Sequence, residues 1–277
     1  MASELDLLDD ITEELDYSIV GPRDTRVHEI NTTGFPCSTL CDVGRDFGDG
    51  AWRGCSGALI APRVVLTAAH CLFNHRLTRA PVRIRVVPGR ADRDTMPFGS
   101  QVSTRYWVPT AYLSSPARGP AARGDFDYGI IVLPRAFDGI TQFMDVRALS
   151  RPELDRVRHV KLITIAGYPG DRPIGTLWRH TERLKRVTPR RLFYTVDTCP
   201  GHSGSPIWYR SRAAGRRVII GVHTSGVVDE QGRSYGCVRG TVLAPPGMLN
   251  SGIRVTGEVL DNLREPAGTG GAMTRLP

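Results

Sequence analysis

Short apolar segments, rich in β-branched and aromatic residues and bounded by Gly, Pro, Asp or Arg, recur along most of the chain. This pattern is typical of β-strands. The segments that predict strands are Gly57 to Thr67, Val82 to Val87, Tyr128 to Leu133, Val160 to Gly167, Leu192 to Val196 and Val218 to His223. Only the segments Arg151 to Arg158 and Ile253 to Leu263 predict helices. Many short strands with almost no helix between them indicate an all-β protein, an antiparallel sandwich or barrel.

Composition supports a folded domain. The chain has 277 residues, and single all-β domains often reach about 250. Hydrophobic residues make up 40% and charged residues 23%, which supplies a core and argues against disorder. No apolar run approaches the roughly 18 residues of a membrane-spanning helix, so we expect no membrane partner.

The two ends differ from the rest. Residues 1–17 carry seven acidic residues and no basic one, and their Leu and Ile spacing fits a short amphipathic helix. This segment is either a disordered tail or a prosegment that covers a basic surface. No secretory signal is visible in it. The Gly-rich end, 264–277, predicts a disordered tail.

The remainder of the chain is strongly basic. The formal net charge is +8, and without the acidic residues of 1–17 it becomes +15. Such a surface attracts acidic proteins or polyanions. No aromatic platform or known helical motif accompanies the scattered arginines, so a nucleic-acid partner is not expected. The sequence does not indicate an oligomeric state.

Six cysteines form an even set that favours disulfides. Their spacing contains no CxxC and does not resemble a zinc site, so no metal is expected. Disulfides would place the protein in an oxidising compartment. The missing signal leaves three alternatives: a different natural start, unconventional export, or reduced thiols inside the cell. The six residues are Cys37, Cys41, Cys55, Cys71, Cys199 and Cys237.

Residues with catalytic chemistry concentrate at three places. His70 ends a buried apolar strand in the sequence TAAHC, and Asp127 opens another in DFDYGI, with Asp125 as a rival carboxylate. Each alone is more typical of a structural residue. The third place is the sequence DTCPGHSGSP, where Ser203 lies between glycines whose backbone freedom lets its own amide and that of Gly201 converge on one point.

The order His70, Asp127, Ser203, with intervals of 57 and 76 residues, resembles the chymotrypsin-like serine proteases. The resemblance spans residues 18 to 263 and implies two antiparallel six-stranded β-barrels and a short C-terminal helix. It implies that His70 is the general base, that Asp127 orients it, and that Ser203 is the nucleophile. The amides of Gly201 and Ser203 would form the oxyanion hole, and no cofactor would be needed.

Further motifs are similar to the bacterial glutamyl endopeptidases. They are SIVGPRDTRV from residue 18, the Asp-Thr pair 197–198, GVHTSG from residue 221 and NSGIRVT from residue 250. The resemblance implies disulfides Cys55–Cys71 and Cys199–Cys237, and leaves the pairing of Cys37 with Cys41 least secure. It also suggests a mature terminus at Ser18 that approaches the specificity pocket.

One position departs from the pancreatic-type enzymes. There an aspartate precedes the nucleophile and pairs with the newly cut amino terminus, whereas His202 stands here. Activation by that ion pair is therefore not expected. We expect instead that removal of residues 1–17 raises activity.

The resemblance leaves specificity open. His223 and Thr198 match positions that contact a substrate carboxylate in the glutamyl enzymes, and Thr224 and Gly226 lie in the same segment. Asp197, six residues before Ser203, matches the place where trypsin-like enzymes hold the carboxylate that binds Arg or Lys. We expect a serine endopeptidase that cleaves after Glu; the alternatives are cleavage after Arg or Lys, and an inactive protease-like binding module. The expected partner is a protein or peptide substrate.

Overall fold

The computed structural model describes residues 18–20, 22–117, 122–211, 215–227, 233–237, 242–245, 247–264 and 272–277. The acidic segment 1–17 and half of the predicted tail, residues 265–271, lie outside the described residues. None of the helices in the described part of the chain combines the length and the hydropathy needed to cross a bilayer.

Strands dominate the described residues. In chain order they are β1 (Val27–Glu29), β2 (Leu40–Asp46), β3 (Arg53–Ala61), β4 (Val64–Thr67), β5 (Arg83–Pro88), β6 (Gln101–Ser103), β7 (Tyr106–Pro109), β8 (Gly129–Val132), β9 (Asp145–Val146), β10 (Ile163–Gly167), β11 (Leu177–Glu182), β12 (Leu184–Val187), β13 (Arg191–Tyr194), β14 (Pro206–Arg210), β15 (Arg217–Ser225), β16 (Asn250–Arg254) and β17 (Met273–Arg275). The α-helices are α1 (Thr110–Ser114), α2 (Arg151–Val160) and α3 (Gly257–Arg264), and 3-10 turns cover Cys37–Thr39, Ala69–Cys71 and Arg123–Phe126.

The first sheet has the strand order β17-β7-β8-β4-β3-β2-β5-β6, with every pair antiparallel. β6 and β7 lie near opposite ends of this order, yet only Thr104 and Arg105 separate them in the chain. Together they act as one bent strand that curls the sheet toward closure. With β6 and β7 counted as one, the sheet has six strands plus the added edge strand β17.

The second sheet has the order β1-β11-β10-β14-β15-β16-β13-β12, and β9 pairs with β15 in parallel. β11 and β12 lie near opposite ends of this order, yet only Arg183 separates them in the chain. They therefore act as one bent strand that curls this sheet, as β6 and β7 do in the first. With β11 and β12 counted as one strand, six strands remain once β1 and β9 are set aside. The predicted all-β fold with two antiparallel barrels is confirmed, and the additional strands extend it at the edges.

Each sheet is curled around apolar side chains. One cluster includes Leu59, Leu66 and Ile131 of the first sheet, and the other includes Ile165, Leu192 and Ile220 of the second. All six side chains are at most 1% exposed. Burial of such side chains, worth about 1.5 to 3 kcal/mol each, fixes the strand ends from which the polar residues of the site extend.

Several elements differ from the prediction. The strand predicted over 160–167 begins only at Ile163, because Val160 is the last residue of helix α2. The segment 57–67 turns at Pro62 and Arg63 and forms two strands, because Pro62 has no N–H for a continuous ladder. Helix α1 was not predicted. The predicted helix over 253–263 begins only at Gly257, since Ile253 and Arg254 remain in β16, where they pair with β13 and β15. Helix α2 was predicted correctly and has a capping box of Ser150 and Glu153.

The prediction of a disordered tail over 264–277 is wrong for its two described parts. Arg264 is the last residue of α3, and Met273–Arg275 form β17, which pairs with Trp107–Pro109. Leu276 is 3% exposed. A few apolar residues after a Gly-rich stretch were enough to add an edge strand that sequence periodicity did not reveal.

Candidate active site

Strand pairing in the first sheet brings His70 and Asp127 together. Strand β4 ends at Thr67, which pairs with Gly129 at the start of β8. The chain then turns through Ala69–Cys71, while Asp127 lies two residues before β8. The antiparallel register therefore places the residues just beyond Thr67 and just before Gly129 at the same edge of the sheet.

Asp127 holds His70 by two hydrogen bonds. The backbone N–H of His70 donates to Oδ1 at 2.9 Å, and the ring Nδ1 lies 2.7 Å from Oδ2. Both residues are buried, at 4% and 6% exposure. Because a carboxylate is an acceptor, this geometry fixes the tautomer with the proton on Nδ1 and leaves Nε2 as the basic nitrogen.

The rival carboxylate is not part of this contact. Asp125 lies in the 3-10 turn Arg123–Phe126, where its backbone N–H bonds to Ala122. Its side chain makes no hydrogen bond to another described residue. Of the two carboxylates before β8, only Asp127 orients His70.

The loop that holds Ser203 is a series of tight turns between β13 and β14. His202 N–H donates to the Cys199 carbonyl at 3.0 Å, and Ser205 N–H donates to the His202 carbonyl at 2.9 Å. The Ser203 carbonyl accepts from the N–H of Ser56 at 2.7 Å. This bond connects the second sheet to β3 of the first sheet, and Ser203 is fully buried.

Gly204 explains how closely the loop approaches His70. Its φ is +82°, and a Cβ there would lie 2.2 Å from both the Ser56 carbonyl oxygen and Thr67 Oγ1. Only glycine fits this contact with the last residue of β4. The Cys55–Cys71 disulfide lies alongside, with Cys71 Sγ 3.8 Å from the Ser203 carbonyl oxygen. The loop thus packs against the turn that carries the imidazole.

Gly201 also has a left-handed backbone, with φ +99°. A Cβ there would lie 2.5 Å from the Tyr168 carbonyl oxygen, so the position requires glycine. The amides of His202, Gly204 and Ser205 all donate within the protein. In contrast, the Gly201 amide finds no acceptor in the part of the chain that the structure describes, as a donor to a substrate would require.

His202 directly precedes Ser203, at the position where the pancreatic-type enzymes have an aspartate. It is 1% exposed. Burial, followed by the nearby Arg26 guanidinium, lowers the pKa of His202 to about 3. Its Nδ1 accepts from the Cys199 N–H at 3.1 Å. A neutral imidazole cannot form an ion pair with an amino terminus, so the residue braces the loop.

The segment after Ser18 is bound to the second sheet. Asp197 Oδ1 accepts from the Val20 N–H at 2.8 Å, and Oδ2 accepts from the Thr25 N–H and hydroxyl at 2.9 and 2.7 Å. Asp197 is 1% exposed. Its oxygens thus anchor Val20 and Thr25, and this disagrees with the alternative that they receive a substrate Arg or Lys.

His223 lies near the end of β15 and is fully buried. Its Nδ1 is 2.6 Å from the hydroxyl of Tyr194, and its carbonyl accepts from the Gly204 N–H at 2.9 Å. Burial, followed by the neighbouring His202, lowers the pKa of His223 well below its usual value. The ring is therefore neutral at pH 7 and takes part in hydrogen bonding rather than in charge pairing.

The other predicted pocket residues lie in β15, directly after it, and before the Ser203 loop. Thr224 follows His223 in β15, and its hydroxyl is 3.3 Å from Ser225 Oγ. Gly226 follows the end of the strand and is partly exposed. Thr198 is fully buried, and its hydroxyl bonds to no described residue.

Arg191 is a residue that the sequence analysis missed. Its guanidinium donates to Ser251 Oγ at 2.6 Å, Ser225 Oγ at 3.1 Å and the Gly124 carbonyl at 2.6 Å, and its charge helps lower the pKa of His223. It thus carries a positive charge to the His223 region. Its position next to Arg190 in a basic sequence gave no signal. Only its place in β13, opposite Ile253 of β16 and in hydrogen-bond contact with Ser251, distinguishes it.

Two disulfides are present, Cys55–Cys71 and Cys199–Cys237, as the resemblance implied. Cys37 and Cys41, whose pairing the resemblance left least secure, do not pair, because both are free thiols. Cys37 lies in a 3-10 turn with its Sγ toward Glu29, whereas Cys41 lies in β2 with its Sγ 3.5 Å from the Thr39 carbonyl. The two side chains therefore have different surroundings.

One group of possible metal donors occurs in the described residues, formed by Cys55, His70 and Cys71. The two sulfur atoms belong to a disulfide, so neither is the thiolate that metal binding needs. His70 is already bonded to Asp127. These residues therefore do not match a metal site.

Known proteins resemble the chain in sequence and in fold. The sequence model of the trypsin family matches residues 25–241. A glutamyl endopeptidase of Bacillus licheniformis is 30% identical over 249 residues, which are 89% of this chain and 68% of that protein. A protein of Bacillus subtilis named extracellular metalloprotease is 27% identical over 248 residues, with 89% and 69% covered. The solved structure of a Glu endopeptidase in complex with MPD has a similar fold, with TM-score 0.68 at 24% identity, covering 90% of this chain and 98% of that one.

Proposed function

We propose that this chain, which belongs to the trypsin family and is therefore a serine endopeptidase, cleaves after glutamate by means of His70, Asp127 and Ser203. The observation that carries the proposal is the pair of hydrogen bonds that His70 donates to Asp127, both residues being buried, beside the tight loop that contains Ser203. Membership of the family is the premise for the role of each residue.

In the first step Ser203 Oγ attacks the carbonyl carbon of the scissile bond while His70 Nε2 takes its proton. A serine hydroxyl is a weak nucleophile, and an adjacent base makes the attack possible. Asp127 keeps Nε2 basic by holding the proton on Nδ1, and it stabilises the imidazolium that forms. The imidazolium then gives its proton to the leaving amine, and water hydrolyses the acyl-enzyme by the same groups.

The oxyanion of each tetrahedral intermediate would be bound by the amides of Gly201 and Ser203. The left-handed backbone of Gly201 and its amide without a described acceptor support this role. A donor of this kind is worth about 3 to 4 kcal/mol in the transition state.

Selection of glutamate would depend on His223, assisted by Arg191. If the Tyr194 hydroxyl donates to Nδ1 of His223, the ring proton lies on Nε2, which is then a donor suited to a carboxylate. The lowered pKa of His223 supports a neutral hydrogen-bonding role. The positive charge of Arg191, bonded to Ser225 and Ser251, favours an anionic side chain in the same region.

We also propose that removal of residues 1–17 activates the enzyme, with Ser18 as the new terminus. The buried position of Ser18 and Ile19 supports a cut immediately before them. The two disulfides support a working site in an oxidising compartment, and the basic body favours acidic protein substrates.

A fluorophosphonate probe tests the catalytic proposal. The wild-type protein trimmed to Ser18 should become labelled, and the variants Ser203→Ala and His70→Gln should not. Binding of the probe elsewhere, or its absence from a folded wild-type protein, would contradict the assignment.

A peptide library tests specificity in the same preparation. Cleavage after Glu, and a loss of the preference for Glu over Gln in Arg191→Gln, would support the assigned pocket. Cleavage after Arg or Lys would overturn it.

A further inference from the structure

A cationic pocket lies between the two sheets, next to the Ser203 loop. It has a volume of about 380 Å³ and is lined by residues of β2, β3 and β5, by the loop after β5, and by residues 168–175. Five of its lining residues are arginines and one is an aspartate: Arg53, Arg85, Arg90, Arg93, Arg172 and Asp42. No activity assigned above uses this pocket.

Three of these arginines already have acidic partners. Arg90 bonds to Asp42 at 2.5 Å, Arg172 to Asp24 at 2.5 Å, and Arg53 to Asp49 at 2.6 Å. In each of these ion pairs the carboxylate offsets the charge of the arginine.

The other two arginines, Arg85 and Arg93, form no ion pair within the described ranges. Arg85 is half-buried, its guanidinium stacks 4.9 Å from the Trp52 ring centre, and its Nε bonds to no described residue. Arg93 is exposed at the rim. The guanidinium groups of Arg85 and Arg93 are therefore not bonded to a carboxylate of the described residues, although the charge of Arg85 also acts on the buried Asp42. An anion in the pocket would be attracted by both guanidinium groups.

The walls of the pocket touch the proposed oxyanion loop. The Gly170 N–H donates to the Pro200 carbonyl at 2.7 Å, and Ser56 Oγ bonds both the Gly201 carbonyl and the Tyr168 N–H. Tyr168 and Gly170 are lining residues. The pocket and the loop therefore share a wall, and the position of one is fixed relative to the other.

The pocket adjoins the disulfide that follows His70 in the chain. The leaving amine must approach His70, which precedes Cys71, and Cys71 is bonded to Cys55. Gly54, the neighbour of Cys55, lines the pocket. His223, which is proposed to bind the glutamate side chain, lies in β15 and is not a lining residue of this pocket. A peptide bound with its acyl side at His223 and its leaving amine at His70 would place the residues after the scissile bond toward this disulfide, and so toward the pocket.

We propose that this pocket binds an acidic side chain of the substrate on the carboxyl-terminal side of the scissile bond, with Arg85 and Arg93 as specificity-determining residues. The inference rests on the proposed protease function and deepens it. Its substrate class is a peptide with one acidic residue before the cleaved bond and a second acidic residue shortly after it.

Matched pairs of internally quenched peptides test this inference. The residue before the cleaved bond is the one that the library selects, and each position after it carries Glu in one peptide and Gln in the other. At one position the ratio of kcat/KM for Glu to that for Gln should be about three- to tenfold at low ionic strength, and it should fall as salt is added. The ratio within one preparation does not depend on the fraction of active protein.

Variants then locate the effect. The exposed Arg93→Gln should lower the ratio, and Arg85→Gln together with Arg93→Gln should bring it near one. Arg156→Gln, an exposed arginine of α2 far from these loops in sequence, should keep the wild-type ratio.

Two outcomes overturn the inference while the protease assignment stands: a ratio of one at every position in a protein that fluorophosphonate labels, or a ratio that both arginine variants retain. A ratio of one together with oligonucleotide binding that requires Arg85 and Arg93 would also overturn it, in favour of a nucleic-acid site. A folded wild type that the probe does not label would overturn both proposals.

Discussion

Ser18 and Asn250, 232 positions apart, exchange two hydrogen bonds: Ser18 Oγ donates to Asn250 Oδ1 at 2.8 Å, and Asn250 Nδ2 donates to the Ser18 carbonyl at 2.7 Å. Both residues are fully buried. Asn250 also donates to the Val196 carbonyl at 2.8 Å, just before Asp197. The start of the described chain is therefore bonded to the segment that leads into the Ser203 loop.

This relationship predicts that the trimmed protein depends on Asn250 for its activity. Trimming to Ser18 should raise kcat/KM relative to the full chain, and Asn250→Ala should remove that gain. The variant should also lose about 1 to 3 kcal/mol of unfolding free energy, because buried carbonyls lose their donor. Cleavage rates on a quenched peptide measure kcat/KM, and urea unfolding measures the loss of stability.

Asn262→Ala is a matched control for this variant. Asn262 is also buried and donates to the Tyr128 hydroxyl at 2.7 Å, but it lies in α3, away from Ser18 in the hydrogen-bond network. It should lower stability and keep the gain from trimming. Equal turnover of full-length and trimmed protein would contradict the activation model.

Asp127 and Asp125 offer a second comparison, since both carboxylates precede β8. Asp127→Asn should lower kcat by about 10⁴-fold, because an amide donor favours the wrong tautomer of His70. Asp125→Asn should leave kcat within about twofold, because its side chain makes no bond to His70. Single-turnover kinetics on an ester substrate would measure both, and a large loss in Asp125→Asn would reverse the assignment.

The sequence predicts the barrels well because their strands are apolar and short, and the predicted positions of His70 and Asp127 follow from strand pairing. Thr67 opposite Gly129 is enough to bring the two residues together. Disulfides Cys55–Cys71 and Cys199–Cys237 were accessible by resemblance. The strands could be predicted from the local pattern of apolar residues, and the site residues and disulfides from short sequence motifs.

Other features depend on contacts between residues distant in sequence. Asp197 has the position of a specificity carboxylate, yet the backbone of Val20 and Thr25 reaches it from far away in the chain. Arg191 is one of many arginines until the register of β13 and β16 places it beside Ser251. Charge and spacing alone cannot distinguish such residues from solvated ones.

Buried neutral histidines should make the protein sensitive to acid. The pKa of His202 is lowered to about 3 by burial and by Arg26, whereas in the unfolded chain it is near 6.5. Between these values the unfolded state binds a proton that the folded state does not. The unfolding free energy therefore falls as pH drops from about 6.5 to 3, by up to about 1.4 kcal/mol per pH unit for this residue.

His202→Asn should reduce that slope between pH 4 and 6, because the amide does not titrate and its oxygen can still accept the Cys199 N–H. Urea unfolding at several pH values provides the measurement. A slope equal to that of the wild type would show that His202 is protonated, or exposed, in the folded protein.

The two disulfides should each stabilise the folded protein. The disulfides close loops of 16 and 38 residues, so they should contribute about 3 and about 4 kcal/mol by loop entropy. Cys55→Ser with Cys71→Ser, and Cys199→Ser with Cys237→Ser, should each lower the urea midpoint.

Cys37 and Cys41 should behave differently from those four. Burial, followed by Glu29, raises the pKa of Cys37 to about 11, and burial raises that of Cys41 further, so both thiols react slowly near neutral pH because little thiolate forms. A thiol reagent should find two groups per chain after unfolding without reductant, and Cys37→Ala should lower the count to one. Cys37→Ala should also leave the urea midpoint equally sensitive to reductant, since neither disulfide involves Cys37. A count of zero in the unfolded wild type would instead require a third disulfide, and a count of six would mean that the protein is stable without any.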